Sequence, residues 1–282
     1  MIDIEKITKN NNRSIVLKRH GLCLHATFFC GQTFSWQVHK NGYMGVAGAR
    51  AAFVCEQNDS LVIVSLDGRA PSNAERCFWH HYFALDVNYA CLHSQFSQNP
   101  KLAACVAGNA GIRVLRQPFF DTLLAFIISQ NNNIPRIQGI VNRLRHQFGA
   151  QTAAGVYAFP TPQEILAHAP EAFSCLGAGY RVKYVLDAAR KVASGEVCET
   201  VLQALPDDEA LQTLMKIKGV GSKVASCVLL YGLGRFAVVP MDVWMRRALE
   251  HTFDAHMPKE AAGFEGIAQQ YIFDWARQNI RK

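Results

Sequence analysis

One stretch constrains this chain more than any other: residues 214–249, LMKIKGVGSKVASCVLLYGLGRFAVVPMDVWMRRAL. It reads as helix, tight glycine hairpin, helix, short loop and helix start. Leu211, Leu214, Met215 and Ile217 give the first helix its apolar face, and Pro206, Asp207 and Asp208 introduce it. Lys218-Gly219-Val220-Gly221 stops it, because glycine tolerates the left-handed backbone of a sharp reversal. Ser222 is the expected N-cap of the second helix. Lys223 then falls in the first turn, where the helix dipole places partial positive charge and an acidic residue would be the stabilising choice. A local rule broken in this way marks a candidate functional position. The same field favours the neutral amine that a lysine nucleophile needs. Cys227 and Tyr231 follow at successive helical turns, so the three share one face.

The hairpin has a second use. Backbone N–H groups in a glycine turn at a helix N-terminus suit a phosphate. Other phosphate motifs fail on spacing. A P-loop needs four residues before its Gly-Lys pair, whereas here Ser222 separates Gly221 from Lys223. A dinucleotide fingerprint needs a preceding strand and a small residue where Val224 stands. Taken alone, the hairpin is equally an ordinary turn with a surface lysine. The downstream Val239-Pro240-Met241-Asp242-Val243 weighs against that. Asp242 is placed to N-cap the amphipathic run that follows. From a short loop, its carboxylate could also face the lysine. Such a pair suits Schiff-base chemistry at a sugar carbon, the amine attacking while the carboxylate stabilises a cationic transition state and helps move protons.

These features together resemble the helix–hairpin–helix DNA glycosylase superfamily. Three further motifs narrow the resemblance to its 8-oxoguanine DNA glycosylase branch: Gly31-Gln32-Thr33-Phe34-Ser35-Trp36, Ser129-Gln130-Asn131-Asn132-Asn133-Ile134-Pro135-Arg136 and Leu176-Gly177-Ala178-Gly179-Tyr180-Arg181. The resemblance covers nearly the whole chain, strongly from Pro118 onward and, before it, mainly through the Gly31 motif. The triple asparagine followed by Arg136 is specific; the helix–hairpin–helix alone is not.

The resemblance implies a bifunctional enzyme with β-lyase activity. Lys223 attacks C1′ of the sugar, displaces the base and forms a Schiff base; Asp242 assists; elimination nicks the strand. It implies that Gly31, Phe126, Cys227, Tyr231, Gln269 and Phe273 form the base pocket. Gln269 reads the Watson–Crick edge, while Phe273 and Cys227 cover the two faces. Oxidation at C8 turns guanine N7 from acceptor to donor, so a carbonyl at Gly31 would accept from the lesion and oppose guanine. Asn131, Arg136 and Arg181 contact the estranged cytosine, and Tyr180 wedges the duplex beside the lesion. Gly219, Gly221 and Trp244 meet phosphates. No metal or organic cofactor is implied, and the partner is duplex DNA carrying oxidised guanine. Plainer alternatives stand beside these roles: a polar loop for the asparagines, a core tyrosine for Tyr180, a strand bulge for Gly31, a surface amide for Gln269 and a core ring for Phe273. Three positions depart from the family pattern. Trp244 replaces a histidine used on the lesion-strand phosphate, Tyr231 replaces an apolar pocket residue, and Ser226 stands where an aspartate is usual. Two alternatives remain open: a related glycosylase for another purine lesion, and a non-catalytic DNA-binding module.

Composition agrees with this reading. The 282 residues suffice for two domains, and a net charge of +7 suits a nucleic-acid partner. The cysteines number nine, without paired spacing, so most read as buried small hydrophobes in a reducing cytoplasm, or a nucleus in a eukaryotic setting. No four of them cluster near the C-terminus, as the iron–sulfur branch of the superfamily requires. Cys77, His80 and His81 lack a second cluster to complete a metal site, and Phe78 and Trp79 mark that segment as a packing helix. The opening MIDIEKITKNNNRS is too polar for a signal peptide, and no apolar run suits a membrane span. A monomer is expected.

The fold class is α+β. Residues 1–110 form an N-terminal antiparallel β domain with flanking helices, and residues 111–282 an all-helical helix–hairpin–helix domain, divided at the glycine-flanked turn 108–111. Strands are expected at 15–17, 26–29, 34–38 and 61–64, with Lys40-Asn41-Gly42-Tyr43 as a hairpin. Helices are expected at 74–83, 90–106, 118–130, 134–148, 162–169, 179–194, 208–217, 222–230, 243–252 and 261–277.

Overall fold

The structure, a computed structural model, describes residues 14–153 and 155–280. The polar opening segment 1–13 lies outside the described residues. Strands β1 (Ser14–Lys18), β2 (Trp36–His39), β3 (Gly42–Ala47), β4 (Arg50–Gln57) and β5 (Ser60–Ser65) form one antiparallel sheet in the order β1-β5-β4-β3-β2. Strands β2 and β3 form the hairpin that Lys40-Asn41-Gly42-Tyr43 signals, but its turn residues are Lys40 and Asn41, and the left-handed one is Lys40, with φ of 50°, rather than Asn41 or Gly42. Alternation along the strands divides their side chains between two cores. Ile15, Val54 and Ile63 join an aromatic cluster in which Trp36 stacks on Phe28 at 4.4 Å and donates Nε1–H to the Tyr82 hydroxyl at 2.8 Å. Phe53, Val62 and Val64 face the other way, into the core that the helices share. Sheet and helices are thus welded through one apolar body.

The expected strand at 26–29 is instead a helix, α1 (Leu24–Phe29). Its cause is tertiary: the Glu56 carboxylate, carried on β4, accepts from the first amide, Leu24 N, at 2.7 Å. Helix α2 (Asn73–Tyr82) starts at a Ser72 cap. The single helix expected over 90–106 is two, α3 (Tyr89–Phe96) and α4 (Pro100–Gly108), because Asn99 caps α4 and precedes a proline that disfavours helix behind it.

Next come α5 (Phe119–Ser129) and α6 (Ile134–Phe148), then a small hairpin, β6 (Gln151–Ala153) with β7 (Val156–Tyr157), inside the region read as all-helical. Helix α7 (Pro162–Leu166) opens on a Thr161–Glu164 capping box. A short 3₁₀ turn, Gly179–Arg181, leads into α8 (Val182–Ala193). Then follow α9 (Glu199–Ala204), α10 (Asp207–Met215), α11 (Ser222–Cys227), α12 (Val243–Thr252) and α13 (Glu265–Asn279). Helix α13 returns to pack on α4 and α12.

The cysteines are less buried than their count suggests. Cys30, Cys55, Cys105 and Cys227 are buried, but Cys77, Cys91 and Cys175 are exposed and Cys23 and Cys198 half-buried, all as free thiols. Short, weakly polar cysteine is tolerated on helix surfaces, so composition alone did not fix its place. Among the described residues no helix is long and apolar enough to cross a membrane.

Candidate active site

The hairpin between α10 and α11 is built on Gly219, with φ of +76°. A Cβ there would overlap the Tyr184 ring on α8, so both conformation and space demand glycine. Asp187, also on α8, holds the turn by accepting from Lys218 N at 2.8 Å. The N-cap of α11 is Gly221, one residue earlier than Ser222, and it makes no side-chain cap bond. The shift leaves the first amides of α11 without a side-chain acceptor and puts Lys223 second in the helix.

Beyond Cys227 the helix widens into a π turn, Val228–Gly232. Single π turns often occur at functional sites. Here the turn carries Tyr231 against Phe126 of α5, the rings stacked at 5.3 Å and 11°. The Lys223 Nζ stands 5.1 Å from the centroid of the same Phe126 ring. Asp242 caps α12 as its position predicts, accepting from Met245 N at 2.8 Å through Oδ1. Its second carboxylate oxygen makes no bond to a described residue, so capping does not exhaust the group.

These elements close on one cleft, lined by Gly31, Phe126, Lys223, Cys227, Tyr231, Pro240, Asp242, Gln269 and Phe273. Every residue assigned above to the base pocket is there, together with the lysine and the carboxylate. The cleft is narrow, with about 30 Å³ of free volume, and shares Gly31, Phe126, Lys223, Asp242 and Phe273 with a groove of about 770 Å³. Gly31 has φ of +93°, and a Cβ there would sit 3.5 Å from Phe273, in ordinary contact. The backbone angle, rather than crowding, makes glycine necessary at that position. Burial pushes the Cys227 thiol up, against the lowering effect of the nearby Lys223 charge. Cys227 is therefore a neutral wall rather than a second nucleophile.

The groove continues past Ser129, Asn132 and Asn133 to Trp244 and Arg277. Asn131 is exposed with φ of +46°, and its Nδ2 donates to the Tyr180 hydroxyl at 3.3 Å. Tyr180 is 45% exposed, so it is no core tyrosine. Asn133 caps α6 by accepting from Arg136 N at 3.0 Å, and the Arg136 side chain is exposed. Arg181 behaves differently from Arg136. It is buried and donates to the carbonyls of Gln130, Asn131 and Ala178, bracing the asparagine turn from behind. Trp244 lines the groove with the Arg247 guanidinium 5.9 Å from its ring.

Sequence reasoning missed three residues here. Pro240 forms part of the cleft wall. Gln270 is buried, and Nε2 donates to the Cys30 carbonyl at 3.1 Å. Arg277 lies one turn beyond Phe273, its guanidinium 5.6 Å from that ring. Helical spacing from Gln269 through Phe273 would have flagged Arg277; the tandem Gln269-Gln270 in an apolar helix would have flagged Gln270.

A helix–hairpin–helix presenting a lysine and a carboxylate to one cleft defines a DNA glycosylase class, and comparison with known proteins agrees. Residues 14–123 match the 8-oxoguanine DNA glycosylase N-terminal domain, and residues 124–265 match the HhH-GPD superfamily of base excision DNA repair proteins. The N-glycosylase/DNA lyase of Saccharomyces cerevisiae is 31% identical over 264 residues, covering 85% of this chain and 70% of the yeast protein. MBOgg1 in complex with a low-affinity DNA ligand superposes with a TM-score of 0.88 at 33% identity, over 95% of this chain and 97% of that one. The Clostridium acetobutylicum 8-oxoguanine glycosylase/lyase, bound to duplex DNA with cytosine opposite 8-oxoguanine, gives 0.84 at 30% identity, over 95% and 96%. The chain belongs to the 8-oxoguanine DNA glycosylase family of bifunctional N-glycosylase/DNA lyases.

Proposed function

We propose that this enzyme excises 8-oxoguanine from duplex DNA, preferring cytosine opposite, through a Schiff base on Lys223. One observation carries the reading: Lys223, Asp242 and the residues suited to holding the base line a single cleft. The enzyme works as a monomer on bent duplex, with the lesion nucleotide extruded. Extrusion costs a few kcal/mol, which Tyr180 and Asn131 offset by filling the gap. The walls of the narrow cleft part to admit the base. The Gly31 carbonyl accepts from N7–H, Gln269 meets the Watson–Crick edge, and Phe273 and Cys227 cover the faces. The Lys223 amine attacks C1′ as the base leaves, and Asp242 stabilises the positive charge that builds on the sugar. The imine then allows β-elimination of the 3′ phosphate. Gly219 and Gly221 hold backbone phosphates, and Trp244 offers an indole N–H to the lesion strand. Arg136, Arg181 and Asn131 meet the estranged cytosine, with Arg136 the freer of the two arginines.

Borohydride reduction in the presence of 8-oxoguanine duplex tests this. A covalent protein–DNA product forms with the lesion and not with undamaged duplex. Trapping only with a different purine lesion would reassign the pocket, and no trapping with any lesion would leave a binding module.

A further inference from the structure

The cleft holds a buried polar triad. The Tyr231 hydroxyl lies 2.6 Å from Gln270 Oε1 and 3.4 Å from Gln269 Oε1. Gln270 is itself fixed, since Nε2 donates to the Cys30 carbonyl at 3.1 Å and leaves its oxygen for the hydroxyl. All three side chains are more than nine-tenths buried, so water does not compete for them. Burial also drives the Tyr231 phenol well above its ordinary range, so it keeps its proton.

Gln269 differs from Gln270 in having no other partner: among the described residues, nothing accepts from its Nε2. A primary amide offers a donor on one side and an acceptor on the other, and a half-turn of the terminal torsion exchanges them. A free amide therefore suits either purine edge. A 6-oxo purine presents an acceptor at C6 beside a donor at N1, and a 6-amino purine presents the reverse. The Tyr231 hydroxyl donates to Gln270 Oε1 and, at the longer distance, faces Gln269 Oε1. That leaves Nε2 as the end of Gln269 free to donate to an acceptor such as a C6 oxygen; the hydroxyl rather than the ring thus decides which end faces the base.

We propose that Tyr231 is a specificity-determining residue: its hydroxyl holds the Gln269 amide in one orientation and so fixes the pocket on 6-oxo purines. This rests on the pocket assignment given above.

The test compares 8-oxoguanine with 8-oxoadenine, each opposite cytosine, in single-turnover excision by wild type and Tyr231→Phe. Both lesions carry N7–H and the C8 oxygen, so the Gly31 contact is common to them and only the reading of the edge differs. The wild type favours 8-oxoguanine strongly, and Tyr231→Phe narrows the ratio by roughly tenfold, the worth of one buried hydrogen bond. If both rates fall by the same factor, or the ratio does not change, Tyr231 only packs and the inference is overturned. If the wild type releases no 8-oxoguanine at all, the functional reading itself fails, and the inference with it. A melting curve for Tyr231→Phe separates unfolding from either outcome; should the variant unfold, Tyr231→Met, which restores an apolar side chain, is measured in the same way.

Discussion

The two sides of the groove are built on opposite principles. On the base side, Lys223, Cys227 and Tyr231 ride one helix and its π turn, Gln269 and Phe273 ride another, and most of these side chains are buried. On the other side, Asn131 and Arg136 stand exposed beside a turn with a left-handed asparagine, and Tyr180 projects nearby. The first side is assembled before DNA arrives; the second offers polar groups that await a partner. On the function proposed above, the contrast separates chemistry, which needs fixed geometry, from reading the opposite strand, which needs accessible donors. Arg181 joins the two designs, a buried cation bracing an exposed turn.

The contrast breaks most sharply at Lys223. Lys223→Gln abolishes base release and borohydride trapping yet keeps duplex binding, measured by gel shift and single-turnover assay. Excision by this variant at near wild-type rate would remove the nucleophile from the base side. Asp242→Asn follows, slowing excision about 10²- to 10⁴-fold, as loss of a charged group at the reacting centre does. Asparagine caps about as well, so stability changes by under about 0.5 kcal/mol. A large fall in melting temperature with normal turnover would make Asp242 structural only.

On the opposite side the effects are smaller and selective. Arg136→Met narrows the preference for cytosine over adenine roughly tenfold, because a donor meeting the wrong base edge costs on the order of 1–3 kcal/mol. Overall binding changes less, since one charge in an exposed site is lost. Rates of 8-oxoguanine excision opposite each of the four bases decide this; equal wild-type rates opposite cytosine and adenine would remove the role. The hairpin gives a pair of stability effects. Gly219→Ala costs about 2 kcal/mol or more, since it strains a left-handed φ and strikes Tyr184. Gly221→Ala has open space and costs under about 1 kcal/mol. Denaturant melts of both variants check the difference.

How much of this was legible in the sequence follows the same division. Gln269 and Phe273 share a face through simple helical spacing, and Asp242 signals the start of α12 through a local cap. Signals of that kind lie within a few residues of chain. What stayed hidden was non-local. Thr27-Phe28-Phe29 has strand-like composition, yet Glu56 from a distant strand caps it as a helix. Strand β4 begins Arg50-Ala51-Ala52, residues with little β preference, and is held by β3 and β5 on either side. The π turn at Val228–Gly232 carries no residue signature, and it decides where Tyr231 points. The bracing role of Arg181 likewise depends on carbonyls some fifty positions away in sequence.

The central claim is that the covalent intermediate forms on the amine at the start of α11. Borohydride-trapped enzyme on 8-oxoguanine duplex, digested and sequenced by mass spectrometry, tests it directly. The account predicts a single sugar adduct on Lys223. An adduct on Lys216, Lys218 or any other amine, with Lys223 unmodified, would contradict it.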